Sequence, residues 1–248
     1  MFLRLVTHEV RPDESEKMAE TYHRTVLSAL RSTKGCVFAS LLQNTADLQE
    51  CVSLTIWDSR QDSIDYEESG LYRQLVDALR PHFVESNEYK LELSADLSLE
   101  YTPVLTEPTV ERFDASDEGT ERIIAKKEAP FAVQILTLSV QQEKIGEFEK
   151  IFAGEIQSKY RGHKGFMDLV VLGQQREYHI ISFWDETVDI QSTAGLHSIN
   201  ELLSSIYKIL PPFVQWSVAK KSSIPIAASS EDLKAAVHRC LVAEWFKH

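Results

Sequence analysis

Cysteine is scarce in this chain and positive charge is outnumbered. Only Cys36, Cys51 and Cys240 occur in 248 residues, an odd number without ligand-like spacing. Neither a disulfide framework nor a cysteine-based metal site is expected, and a reducing cytoplasm suits such a chain best. Lys and Arg number 26 against 38 Asp and Glu, for a formal charge of −12. That deficit argues against nucleic acid, whose phosphates need clustered cations, and against an anionic membrane surface. Long apolar runs are absent too. The N-terminal stretch Met1–His8 is apolar but short and runs into charged residues, so neither a leader nor a membrane span is expected. The eight histidines show no metal-ligand grouping. There is no phosphate loop, no dinucleotide glycine fingerprint and no Gly-x-Ser-x-Gly, which removes most nucleotide-dependent enzymes.

What the chain does have is internal repetition. Lys34-Gly35 recurs as Lys164-Gly165. Met18, Tyr22, Val26 and Leu30 recur at the same spacing as Phe148, Phe152, Ile156 and Tyr160. Trp57-Asp58 recurs as Trp184-Asp185. A period this long means duplicated domains rather than a solenoid. Each copy opens on an alternating strand, Phe2–Val10 or Phe131–Val140. In the first copy Phe2, Arg4, Val6, His8 and Val10 share one face, and Leu3, Leu5, Thr7 and Glu9 the other. An amphipathic helix, the Lys-Gly turn, a hairpin ending in Trp, further helix and a Pro follow.

The order β-α-β-β-α-β, twice, predicts an α+β fold of two ferredoxin-like repeats. Their apolar sheet faces are expected to pack on one another as an intramolecular dimeric α+β barrel. The last strands are placed at Glu88–Leu93 and Val214–Val218. The expected division is repeat one at 1–100, a linker at 101–129, repeat two at 130–222 and a C-terminal amphipathic helix at 223–248. That helix is drawn from Ser229-Ser230-Glu231-Asp232 as a start and Leu233, Val237, Leu241 and Trp245 as an apolar stripe. It could serve a homodimer.

The segment Leu54–Leu75, "LTIWDSRQDSIDYEESGLYRQL", resembles the antibiotic biosynthesis monooxygenase domain, and Ile181–Ile190 is a weaker match. The resemblance spans about three quarters of the chain. It implies two family domains fused into one barrel, and cofactor-free oxygenation of a small aromatic or quinol-type substrate. One branch of the family degrades haem with an Asn, a Trp and a His. Here those positions carry Val6 or Leu136, Tyr66 or Thr193, and Val76 or Leu203, so haem breakdown is not expected. The resemblance also implies that the strand face carrying Arg4, Val6 and His8 looks into a pocket beneath the helices. His8 and Tyr66 are the candidate catalytic residues, with Arg4, Val6 and Trp57 binding substrate and no metal. The second copy offers Gln134 and Leu138 where the first has Arg4 and His8, so the polar pair is not required by the fold. The competing expectation is a non-catalytic ligand-binding or assembly module on the same scaffold.

Overall fold

The computed structural model describes residues 1–85, 89–93, 98–104, 106–114, 131–185, 195–220, 229–230 and 232–246. The first repeat begins with β1 (Phe2–Glu9) and a helix α1. Helix α1 starts at Ser15–Thr21, widens into a π-helical stretch at Tyr22–Leu27 and closes with Ser28–Leu30. Then come β2 (Cys36–Asn44), β3 (Glu50–Trp57), α2 (Arg60–Glu68) and α3 (Leu71–Leu79). Strands β4 (Tyr89–Leu93), β5 (Leu99–Pro103) and β6 (Thr109–Asp114) lead out of it.

The second repeat has β7 (Phe131–Ser139) and a helix α4 that starts at Ile145–Ile151. Helix α4 widens at Phe152–Ile156 and ends at Gln157–Gly162. It continues with β8 (Phe166–Gln174), β9 (Glu177–Asp185), α5 (Gly195–Ile206) and α6 (Pro212–Lys220). The short β10 (Ser229–Ser230) and the long β11 (Leu233–Trp245) complete it.

The main sheet runs β6-β1-β3-β2-β11-β7-β9-β8, with every neighbouring pair antiparallel. Each repeat thus contributes its fourth, first, third and second strands in that order, as a ferredoxin-like unit does. The registers repeat as well. Arg4 lies opposite Thr55 and His8 opposite Cys51, while Gln134 lies opposite Ser182 and Leu138 opposite Tyr178.

Three expectations are corrected here. Tyr89–Leu93 is not the fourth strand of repeat one: among the described residues it pairs only with β5, in a separate two-stranded ribbon. That place belongs to β6, which lies inside the expected linker and pairs with β1 from Phe2↔Asp114 to Thr7↔Thr109. Residues 105 and 115–129 of that linker lie outside the described residues. Val214–Val218 is helical, within α6. The expected C-terminal helix is strand β11, seated between β2 and β7. A spacing of four fits a strand face as well as a helix stripe, since four is a multiple of two. The unpaired edges of β2 and β7 decide between them, because each exposes a row of N–H and C=O groups that only another strand can satisfy. A homodimer through such a helix therefore loses its basis.

The sheet curls around an interior shared by both repeats. Leu3, Leu5, Phe38, Leu54 and Ile56 of the first meet Val133, Val170, Ile181 and Phe183 of the second. Phe113 of β6 rests on His179 of β9 at 4.4 Å between ring centroids, so the two ends of the sheet approach each other. On the outer faces the α1 stripe packs with Trp57 and α3 in repeat one. The α4 stripe packs with Trp184 and α5 in repeat two. A bulge between Cys240 and Val242 lets β11 serve both faces. Leu233 and Val237 pack in the core of repeat two, and Leu241 and Phe246 in that of repeat one. The fold is two ferredoxin-like repeats forming one α+β barrel.

Candidate active site

Gly35, in the turn between α1 and β2, has φ of +74°, a conformation that suits glycine. A Cβ there would stand 2.5 Å from Asp62. The Gly35 carbonyl accepts from Asp58 N–H at 2.8 Å, and Gly165 does the same for Asp185 at 2.8 Å. The Lys-Gly repeat is thus a clasp between the helix end and the strand end that carries Trp57 or Trp184. Beyond Trp57, the Ser59 side chain caps α2 by accepting from the Asp62 N–H at 3.1 Å. This start sets Tyr66 over the sheet.

Under α1, α2 and α3 lies a cavity of about 40 Å³ lined by Arg4, Val6, His8 and Tyr66, with Tyr22, Ser53, Tyr72 and Phe83 among the other walls. Four of the five expected site residues therefore meet. Trp57 does not line the cavity; it is fully buried behind Tyr66, with ring centroids 4.9 Å apart, and donates Nε1–H to Thr55 Oγ1 at 3.0 Å. It packs on the Tyr66 ring.

Arg4 is 1% exposed. Removing a guanidinium from water costs several kcal/mol unless charge and π-electrons replace the solvent. Here Tyr72 lies 4.0 Å and Tyr66 5.6 Å from the guanidinium carbon. Arg4 Nε stands 3.1 Å from Glu67 Oε1, at ion-pair distance but without hydrogen-bond alignment. Arg4 Nη2 has no hydrogen-bond partner. Glu67 also takes two hydrogen bonds from Arg112 of β6, at 3.0 and 2.7 Å. Burial would raise the Glu67 pKa, but the Arg112 hydrogen bond and the two cations outweigh it and hold the carboxyl below its usual range.

His8 is 7% exposed and neither ring nitrogen makes an aligned hydrogen bond. Desolvation, offset only in part by the Val6 backbone, lowers its pKa from 6.5 to about 4. The imidazole is therefore neutral at pH 7, stacked on Phe83 at 5.0 Å. Burial pushes the Tyr66 phenol above its usual range against the pull of Arg4, so it stays protonated and can donate but not act as a base.

The comparison between repeats also shows what sequence reading missed. Tyr22 donates to or accepts from Ser53 Oγ at 2.7 Å. By sequence spacing and strand register the matching pair in repeat two is Phe152 and Ile180, with no hydroxyl on either. Arg4, His8, Tyr22 and Ser53 thus correspond to Gln134, Leu138, Phe152 and Ile180. The signal for Tyr22 and Ser53 was present in the aligned copies, but it needed the strand register to pair them. Tyr72 and Glu67 lie in α3 and α2, and Thr193, the partner position of Tyr66, lies outside the described residues. Among the described residues no group of three or more His, Cys, Asp or Glu could hold a metal ion, and no helix is long and apolar enough to cross a membrane.

Residues 1–78 match the family model for antibiotic biosynthesis monooxygenase. No curated protein sequence matches the chain. Among solved structures, a proposed monooxygenase of Fusobacterium nucleatum aligns over 98% of this chain and 94% of its own, with a TM-score of 0.63 at 10% identity. One from Lactobacillus acidophilus aligns over 98% and 95%, with a TM-score of 0.62 at 6% identity. A proposed chlorite dismutase aligns over 96% and 94%, with a TM-score of 0.50 at 10% identity. At such identities the likeness concerns the fold. The family match thus covers residues 1–78, and over nearly its whole length the chain shares the fold of these solved structures.

Proposed function

We propose that the first repeat is a monooxygenase site that acts on a small aromatic or quinol-type substrate with dioxygen and no bound cofactor. The observation behind this reading is the asymmetry between repeats: one fold, one register, but Arg4, His8, Tyr22 and Ser53 in the first against Gln134, Leu138, Phe152 and Ile180 in the second. Buried polar groups without partners are costly, so their retention in one copy asks for a ligand that completes them.

Arg4 and His8 are four residues apart on one strand face, about 13 Å between Cα atoms. They suit the two ends of an elongated conjugated system rather than one atom. In the proposed reaction neutral His8 takes a proton from an acidic ring carbon. The charge spreads through the conjugated system to an oxygen at the far end, beside the Arg4 guanidinium. The carbanion adds to dioxygen, and His8 returns its proton to the peroxide. The O–O bond then breaks: one oxygen stays as a carbonyl, and the other leaves as water with the second hydrogen of that carbon. Substrate supplies all the electrons. A carbon acid of pKa near 10 is uphill of an imidazole at about 4 by about 8 kcal/mol. A cation at the far oxygen offsets part of that gap, and the imidazolium–anion attraction in a buried site offsets more. Tyr66 supplies a hydrogen bond, not a base.

A cavity that holds benzene is about 150 Å³; at about 40 Å³ this one must widen to admit a ring. Half-buried Tyr72, on α3 just past Gly70 at φ +79°, is the wall best placed to yield. The test is oxygen uptake by purified protein over a panel of quinols and polycyclic phenols, with ¹⁸O₂ to trace the new carbonyl. Uptake with label in the product, lost in His8→Leu, is expected. No uptake across the panel would reject the reading.

A further inference from the structure

The barrel interior is apolar at one end and polar at the other. Phe38, Phe131, Phe183 and Trp245 fill the first end, with Phe38 and Trp245 centroids 4.0 Å apart. At the other end is a chamber of about 210 Å³, separate from the cavity under the helices. It is built by both repeats: Leu5 and Glu50 come from the first, Ile135 and His238 from the second. Water occupies about 30 Å³ per molecule, so the chamber has room for some seven waters or a small organic molecule.

Its polar groups are specific about what they accept. His238 is 2% exposed, lines the chamber and leaves Nδ1 without a partner. Its Nε2 lies 3.4 Å from Glu50 Oε1. The His238 hydrogen bond, reinforced by Asn44 and Lys234 against the opposing effect of burial, holds Glu50 down at about 2, so it is ionised. A carboxylate can only accept, so Nε2 carries a proton, and in the neutral form of the ring Nδ1 presents a lone pair. Glu111, half-buried on β6, lines the same chamber and has no ion pair among the described residues. Lys234 Nζ, 3.6 Å from Glu50 Oε2, is the one cation among the chamber's lining residues. Two carboxylates against one ammonium leave the chamber net negative. Glu111 and, in the neutral ring, the buried unpartnered His238 Nδ1 both accept hydrogen bonds, while Leu5 and Ile135 offer apolar wall.

We propose that this chamber is a second binding site, for a small organic cation whose N–H donors meet Glu111 and His238 Nδ1 and whose short alkyl body lies on Leu5 and Ile135. A primary alkylammonium is the simplest such molecule. The site is independent of the oxygenase reading, since none of its residues lines that cavity. The experiment is titration of the full chain with n-butylammonium, followed by calorimetry and by the imidazole ¹⁵N resonances of His238. Butyrate serves as the opposite charge and tetramethylammonium as a cation without N–H. Expected are saturable binding of n-butylammonium with a shift at His238 Nδ1, no saturable binding of either control, and binding weakened about tenfold in Glu111→Gln. His8→Leu should bind n-butylammonium as the wild type does. Absence of saturable binding, equal binding of butyrate, or an unchanged affinity in a folded Glu111→Gln would overturn the proposal. The His238 shift in the unaltered chain decides the matter should that variant not fold.

Discussion

At position 8 an imidazole is buried where the other copy of the same fold has leucine, and both its nitrogens go without aligned partners. This has a measurable consequence for stability. The folded-state pKa is depressed from 6.5 to about 4, so well above pH 6.5 neither state binds the proton and stability does not vary with pH through His8. As the pH falls from 6.5 towards 4, the unfolded chain takes up a proton that the folded chain refuses, and stability drops by roughly 3 kcal/mol. His8→Leu should remove that drop, so urea midpoints at pH 7.5 and 5.0 should lie closer together in the variant than in the wild type. The same variant should lose oxygen uptake by about 100-fold or more, the usual contribution of a general base. Arg4→Gln, which installs the second repeat's residue, should fold and lose activity. An Arg4→Gln protein with wild-type oxygen uptake would remove Arg4 from the mechanism.

Among the elements, β11 and the Lys-Gly clasp carry the most structural weight. β11 pairs with β2 from Phe38 to Asn44 and with β7 from Ala132 to Leu138. Removing residues 229–248 would leave both neighbours as open edges and uncover the interior, so the truncated chain should be insoluble or expanded, as judged by light scattering and circular dichroism. A soluble, native-like truncation would contradict the central placement of the strand. At the clasp, Gly35→Ala must force a Cβ into Asp62 at 2.5 Å and hold a left-handed backbone. It should cost about 2 kcal/mol or more in denaturant unfolding, whereas Gly70→Ala, with open space around its site, should cost only about 1. The paired π-helical stretches at Tyr22–Leu27 and Phe152–Ile156 are shared by both repeats, so they belong to the fold and not to the site alone.

For the molecule as a whole, the shared interior means that the halves are not independent folding units. Phe38 is fully buried and touches both Phe131 of the second repeat and Trp245 of the bridging strand. Phe38→Ala should cost about 3–5 kcal/mol. It should lower the unfolding midpoint of both repeats equally, with Trp57 and Trp184 reporting the same transition in single-tryptophan variants. Two separated transitions would show that the repeats fold autonomously. Fusion also explains how one repeat can differ from the other: within a single chain the second copy can fill its equivalent positions with Leu138, Phe152 and Ile180, which pack in its own helix-side core.

Much of this was legible from residues in order. The duplication, the strand-helix-hairpin succession, the face bearing Arg4, Val6 and His8, and the Lys-Gly turns follow from periodicity and backbone chemistry, which act over a few residues. The fold decided what depends on partners far along the chain. Strand β6 and strand β11 owe their conformation to the hydrogen-bonding edges of β1, β2 and β7, and an apolar spacing of four could not say so. Tyr22 meets Ser53, and Glu50 meets His238 across 188 positions, only once the sheet curls and brings unsatisfied donors and acceptors together. Local preference sets which elements form; the requirement that buried edges and buried polar groups find partners sets where they go.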